Sequence, residues 1–415
     1  MTQYSPLSSL ARPAIALVIA AYPIFHAAPA RSLQFNFGFA EDTPPEVIQG
    51  FEDAGNLWSS FLSDDITVDV AVQYEPFNQT SLGRFTPERV NVEYRDVLGA
   101  LQNDTGSVND TISFNALPRS SELGGTLDST LDFGLLINGT ADNPNGSGSL
   151  VPYLDNDGDC NNHSIRITTA NAKALGLPTT GTGTCSSGVS SPSNDGIIAI
   201  NSNFDWDFDI SDGFDPLTYD FVGVAAQGIG ATLGNISGID VLDFNSPLVV
   251  DDESLFFEDS MFPFVSLPDL HRFSQESAEL GVIDWTTGRT DETGAEVSKY
   301  FSIDGGQTPI ANFSTGIRRG DGNRASSWQA DERGGGFLGL AEPSPNVEQV
   351  LQFTRNDQML IDIIGFDLND PDDAPPLRPI NSGGNPPNPE RIPEPSSAIA
   401  LLPIAWFGFK WLRRR

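Results

Sequence analysis

Between Tyr219 and Asp243 the chain reads YDFVGVAAQGIGATLGNISGIDVLD, and its apolar positions Phe221, Val222, Val224, Ala225, Ile229, Thr232 and Leu233 recur at helical spacing. Asp215-Pro216 supplies a start signal and Gly234-Asn235 a stop. Gly223, Gly228 and Gly230 should each weaken that helix by about 1 kcal/mol relative to Ala, so something must pack very close against it. Upstream, Leu33–Phe39 alternates like a strand. Pro44–Leu62 carries Val47, Phe51, Ala54, Trp58, Phe61 and Leu62 at helical spacing, with Thr43 as its N-cap. Ile66, Val68, Val70 and Val72 alternate as a half-buried strand, and Val92–Leu101 predicts a second helix ending before Asn103-Asp104-Thr105-Gly106. This β-α-β opening predicts an α+β fold.

Further on the pattern is weaker. Leu131–Ile137 reads as a strand and Asn138–Ser149 as a loop. Ser164–Thr168 reads as a strand, Ala170–Ala174 as a short helix, and Gly176–Asn194, almost all Gly, Ser, Thr and Pro, as a surface loop. Gly196–Phe204 predicts a strand leading into Asp205-Trp206-Asp207-Phe208-Asp209. After the central helix the segments DLHRFS (269–274), YFSIDGG (300–306) and FSTGIRRGDG (313–322) are punctuated by turns. No internal repeat is visible. Residues 370–391 (DPDDAPPLRPINSGGNPPNPER) predict an extended, disordered spacer, which places the folded body at 33–369.

At 415 residues the chain can bury a substantial core in one large domain or two. Its 56 Asp and Glu against 22 Lys and Arg leave a formal charge of −34, which argues against nucleic acid because a polyanion would be repelled. Such acidity suits an exported or salt-exposed soluble protein. Calcium binding by some of the Asp is the sharper alternative. Cys160 and Cys185 lie in one polar region, where an oxidising compartment favours a single disulfide, worth about 3 kcal/mol, over a zinc site.

Both ends look like export signals. Arg12, the apolar run Pro13–Phe25 and Ala27-Ala28-Pro29-Ala30 have the layout of a secretory signal peptide over 1–30, with the mature chain beginning near Arg31. The run is too short for a comfortable membrane span. At the other end Ile392-Pro393-Glu394-Pro395-Ser396-Ser397 precedes the apolar segment Ala398–Phe409 and then Lys410-Trp411-Leu412-Arg413-Arg414-Arg415, an order that holds the arginines cytoplasmic.

Pro393, Glu394 and Pro395, the short hydrophobic segment and Arg413, Arg414 and Arg415 together resemble a PEP-CTERM sorting signal over 392–415. The N-terminal pattern implies a secretion signal peptidase, and the resemblance implies an exosortase-type sorting enzyme, a transient stay in the inner membrane of a Gram-negative-type bacterium, and release to the cell surface or extracellular matrix. The central helix is similar to the active-site helix of secreted bacterial zinc metalloproteases that carry such tails, which reads HEIGHxLGFxSGxD. Ile229, Gly230, Leu233, Gly234, Ser237, Gly238 and Asp240 match it. DLHRFS, YFSIDGG and FSTGIRRGDG also resemble segments of that family and extend the similarity over most of 33–369. It implies a zincin-like α+β domain, a mixed sheet beside the central helix.

The chemistry departs from the family. Gln227 stands where the first His would be, Gly228 where the Glu would be and Ala231 where the second His would be. The resemblance places the third ligand at Ser327, in Ala325-Ser326-Ser327-Trp328, and the Met of the turn beneath the metal at Ala341, in Ala341-Glu342-Pro343. Two imidazoles one helical turn apart hold Zn²⁺ and the intervening carboxylate activates its water. Gln and Ser are neutral oxygen donors poorly suited to that ion. The three histidines, His26, His163 and His271, have no helical ligand spacing between them, and His271 beside Asp269 reads as a packing residue.

No cofactor is therefore expected, zinc being lost. Calcium candidates are Asp205, Asp207 and Asp209, read as one side of a strand, and Asp155 and Asp157 in a half calcium loop whose Gly158 is one position out of the EF-hand pattern. The expectation is a catalytically inactive metalloprotease-like pseudoenzyme whose cleft, if open, binds peptide or matrix polysaccharide. Its rivals are an active secreted metallopeptidase with a non-standard metal site and a structural extracellular-matrix protein.

Overall fold

The alternating segments after residue 32 form a parallel sheet with a helix on it. In this computed structural model the described residues are 32–77, 81–119, 132–138, 152–181, 185, 193–245, 262–288, 293–329, 339–343, 345–375 and 377–378. The signal peptide read at 1–30 and the sorting tail at 392–415 lie outside them. Among the described residues no helix is long and apolar enough to cross a membrane.

The chain begins with β1 (Gln34–Gly38), α1 (Pro45–Ser59), β2 (Thr67–Glu75), β3 (Gly83–Pro87), β4 (Arg89–Glu93), α2 (Tyr94–Asn103) and α3 (Val108–Ala116). It continues with β5 (Leu135–Asn138), β6 (Pro152–Asp155), α4 (Cys160–His163), β7 (Ser164–Thr168), α5 (Thr169–Ala174), β8 (Gly196–Asn201), β9 (Trp206–Asp207), β10 (Tyr219–Asp220), α6 (Phe221–Leu233) and α7 (Ile239–Asn245). The last elements are β11 (Arg272–Phe273), α8 (Gln275–Leu280), β12 (Ile283–Asp284), β13 (Lys299–Phe301), β14 (Ala311–Phe313) and α9 (Arg355–Ile363).

The main sheet has the order β1-β2-β8-β3; β1, β2 and β8 run parallel and β3 is an antiparallel edge, with Phe85 opposite Ile198. Smaller sheets are β12-β5-β6, β11-β13-β14, β4-β7 and β9-β10. The fold class is α+β.

Local chemistry moves several expected boundaries. Val90 and Val92 pair across a ladder with Ile167 and Ile165, so Val92 lies in β4 and the helix starts only at Tyr94. Thr43 caps nothing. Pro44 is the N-cap of α1, Pro45 takes the first helical position where its missing N–H costs nothing, and the Thr43 N–H goes to the Ala40 carbonyl. The central helix starts at Asp220 rather than at Asp215-Pro216, because the Asp220 carboxylate accepts the Gly223 N–H at 2.9 Å. It ends where Gly234 turns to φ 139°, and α7 follows as a separate helix.

The glycines of α6 are answered by its neighbours. A Cβ on Gly223 would collide with the Asp220 carboxylate and Leu351, one on Gly228 with Ile198 and Phe85, and one on Gly230 would lie 3.0 Å from the indole of Trp58. On the α1 side, Phe221 fills the place of a Cβ on Gly50, Phe51 and Phe221 meet edge-on at 5.7 Å, and Trp58 donates its indole N–H to the Ala226 carbonyl.

Contacts of the body continue past residue 369, into the stretch expected to be a spacer. Arg378 is buried and forms an ion pair with Asp220, its Nη2 2.8 Å from Oδ1.

Candidate functional site

Thirteen residues make up α6, and only Gln227 and Ala231 are partly exposed; the rest are buried. Four residues apart, they share one face. These are the two positions that the resemblance assigns to imidazoles. Gln227 Nε2 donates to the carbonyls of Leu340 and Glu342, at 2.6 and 2.8 Å. Ala231 presents a methyl group.

Gly228 is buried against the sheet. The space a side chain would need there lies 2.9 Å from Ile198 Cγ2 and 3.0 Å from the ring of Phe85 on the edge strand β3. A carboxylate at this position would have to displace that ring.

The turn that Gln227 grips also holds the segment of Ser327. The Trp328 N–H donates to the Ala341 carbonyl, between the two carbonyls that Gln227 holds. Ser327 is fixed through its backbone: its N–H goes to Arg324 and its carbonyl accepts from Ser314. Gln227, Ala341 and the 327–328 segment are thus brought together through residues 340–342.

Two carboxylates brace this frame, and neither role was legible in the sequence. Asp240 accepts the Ala325 N–H at 2.7 Å and the Ser326 hydroxyl at 2.8 Å, while burial pushes its carboxyl up. Asp357, at the N3 position of α9, accepts the indole N–H of Trp328 at 2.9 Å and the N–H of Leu340 at 2.8 Å. Burial pushes Asp357 up to about 6, and these hydrogen bonds pull against it. The Thr354-x-x-Asp357 spacing was readable as a capping box. Its bonds across the chain were not.

This donor set does not fit zinc: an amide whose hydrogens are committed to two carbonyls, a methyl and a serine hydroxyl offer neither imidazole nor thiolate. Glu342 is the nearby carboxylate, half-buried and pushed up by that burial.

Of the remaining candidates, Asp207, Asp209, Asp155 and Asp157 accept hydrogen bonds from nearby groups. Asp205, Asp207 and Asp209 do not line one side of a strand, because β9 is only two residues long and Asp207 is buried while its two neighbours are exposed. Asp207 accepts the N–H groups of Asp209 and Asp215, and Asp209 accepts both donors of Ser211. Asp155 is buried and accepts from Asn161 at 2.8 Å, and Asp157 accepts the Asp159 N–H.

Among the described residues, the group with metal-ligand proximity is Cys160, His163 and Cys185. The two cysteines are joined in a disulfide, so neither offers the thiolate a metal takes. His163, three residues after Cys160, lies beside this pair, with Nε2 3.3 Å from Cys185 Sγ. His271 is buried, pushed down to about 4 by that burial, and lies 3.4 Å from the Ser113 hydroxyl.

The chain matches no family model, no curated protein and no solved structure.

Proposed function

We propose that this chain is an exported, surface-sorted protein with a zincin-like scaffold whose proteolytic centre has been replaced by structural contacts, leaving a non-catalytic binding module. The observation that carries this reading is the partly exposed face of α6. The positions for two imidazoles hold Gln227 and Ala231, and the Gln227 amide is spent on bracing the 340–342 turn. The place for a general base at Gly228 is packed against Phe85 and Ile198. Hydrolysis of a peptide bond needs an activated water and an electrophile, and this face supplies neither. The sheet beside α6, with three parallel strands and an antiparallel edge, supports the zincin-like reading of the scaffold. Export and sorting rest on the residue patterns at 1–30 and 392–415.

The test is metal analysis of the purified full chain together with a peptide-hydrolysis screen. The expected outcome is substoichiometric zinc and no turnover that a chelator abolishes. One zinc per chain with chelator-sensitive cleavage would refute the proposal.

A further inference from the structure

Against the Cys160–Cys185 disulfide the fold sets a third metal-binding side chain. His163 follows Cys160 by three residues in α4, so the two share one face of that turn. Its Nε2 lies 3.3 Å from Cys185 Sγ, and one ligand atom from each of the three residues falls within 4.8 Å of the others. Ligand atoms around one tetrahedral Zn²⁺ stand about 3.5–3.8 Å apart, given bonds of about 2.3 Å to sulfur and about 2.0 Å to nitrogen. The trio is gathered to that scale.

The far side of the imidazole faces a carboxylate. Nδ1 stands 4.0 Å from Oδ1 of Asp132, whose side chain is only 4% exposed. At that distance the contact is electrostatic, and it favours the ring proton on Nδ1, with the Nε2 lone pair toward sulfur. A carboxylate behind an imidazole is the arrangement that orients histidines bound to zinc. Asp132 is held in place through its neighbour: Phe133 donates its N–H to the Asn162 carbonyl at 2.9 Å and accepts from Asn162 Nδ2 at 3.1 Å. Asn162 Oδ1 takes the Gly158 N–H at 2.9 Å, and Asp159 caps α4. None of these bonds passes through the sulfurs, so they hold His163 and Asp132 together whether the disulfide is closed or open.

We propose that Cys160, His163 and Cys185 form a thiol-gated zinc site, closed as a disulfide in the oxidised chain and holding one Zn²⁺ once that bond is reduced. A dithiol supplies the two electrons. One of its thiolates attacks a sulfur of the pair, and the S–S bond breaks onto the other sulfur. The reductant's second thiol then closes its own disulfide and releases both cysteines as thiols. Each cysteine loses its proton on binding Zn²⁺, and the two thiolates neutralise the dication while His163 binds as the neutral ring. The fourth position belongs to water, because Asp132 lies on the other side of the imidazole and acts as a positioning residue. Reoxidation of the cysteines removes the thiolates and releases the ion. Disulfide and zinc thus close the same stretch of chain between residues 160 and 185 in the two redox states.

The experiment is zinc titration of the full chain, oxidised and after treatment with a phosphine reductant that is then removed. Bound metal is measured after desalting, and Co²⁺ in place of zinc reports thiolate ligation by its sulfur-to-metal charge-transfer band. About one zinc per reduced chain and less than about 0.1 per oxidised chain are expected. Cys160→Ser and His163→Gln should each weaken zinc binding by the reduced chain at least about 100-fold. Asp132→Asn should weaken it about tenfold and leave the cobalt band in place, as loss of a positioning residue does. His163 is partly exposed, so its variant tests the site even if Asp132→Asn fails to fold. No stoichiometric zinc on the reduced chain, equal binding by the oxidised chain, or binding unchanged by His163→Gln overturns the proposal. Zinc on the α6 face would survive Cys160→Ser and give no sulfur band. Combined with chelator-sensitive peptide cleavage, it would overturn the non-catalytic reading and leave the thiol-gated site standing.

Discussion

A Cβ on Gly228 would lie 3.0 Å from the ring of Phe85, so the edge strand and the central helix approach too closely for any larger residue between them. Rebuilding the zinc-protease motif that the central helix resembles, with Gln227→His, Gly228→Glu, Ala231→His and Ser327→His, is therefore expected to yield no stable hydrolase. Gly228→Glu alone should cost about 1–3 kcal/mol from overpacking. Adding Phe85→Ala should recover part of that loss in urea unfolding. A fully stable four-residue variant with Phe85 intact would show that the ring is no obstacle.

Gln227 acts as a strut. Gln227→Ala removes two N–H···O=C bonds to the 340–342 turn and should destabilise the protein by about 1–3 kcal/mol. Amide exchange at Trp328, whose N–H bonds the same turn, should rise with it. Unchanged exchange there would mean that Asp357 holds the turn unaided.

Asp64, Asp104, Asp110, Asp362 and Asp367 crowd together, with no ion pair to any of them among the described residues. Burial first, then mutual repulsion, raises Asp64 to about 7 and Asp104 to about 8, and likewise raises Asp362 to about 7. These folded-state values exceed the unfolded one, so between about pH 4 and pH 8 these three carboxyls bind more protons in the folded chain than in the unfolded chain. The stabilisation from this cluster is present at low pH and is lost as pH rises through 7–8. Calorimetry should show a higher Tm at pH 5.5 than at pH 8.5. Asp104→Asn should flatten that dependence and raise Tm at pH 8.5 by about 2–4 °C per kcal/mol regained. A Tm that rises with pH over this range would contradict the sign.

Asp220 caps α6, accepts the Leu351 N–H at 3.0 Å and pairs with Arg378, all in a buried setting. Arg378→Ala leaves that carboxylate buried without its cation and should cost about 3–5 kcal/mol in denaturant unfolding. Ending the chain at residue 375 should cost the same. A loss below about 1 kcal/mol would show that water replaces the guanidinium.

Local periodicity made much of the fold legible: β1, α1, β2, β7 and β8 were readable from alternation or helical spacing, because one buried face leaves its period in the sequence. The helix of Gln227 and Ala231 was readable for the same reason, as was its lack of imidazole and carboxylate. The strands β3 and β4 were not read, because short edge segments take their identity from partners far along the chain, Ile198 and Ile167 among them. Only the tertiary structure decided that three helix glycines answer to Phe85, Trp58 and Asp220, that Asp240 and Asp357 brace the turn at Gln227, and that Arg378 belongs to the body. Side-chain contacts between residues tens to hundreds of positions apart depend on how the backbone is brought round, and no spacing rule along the chain records them.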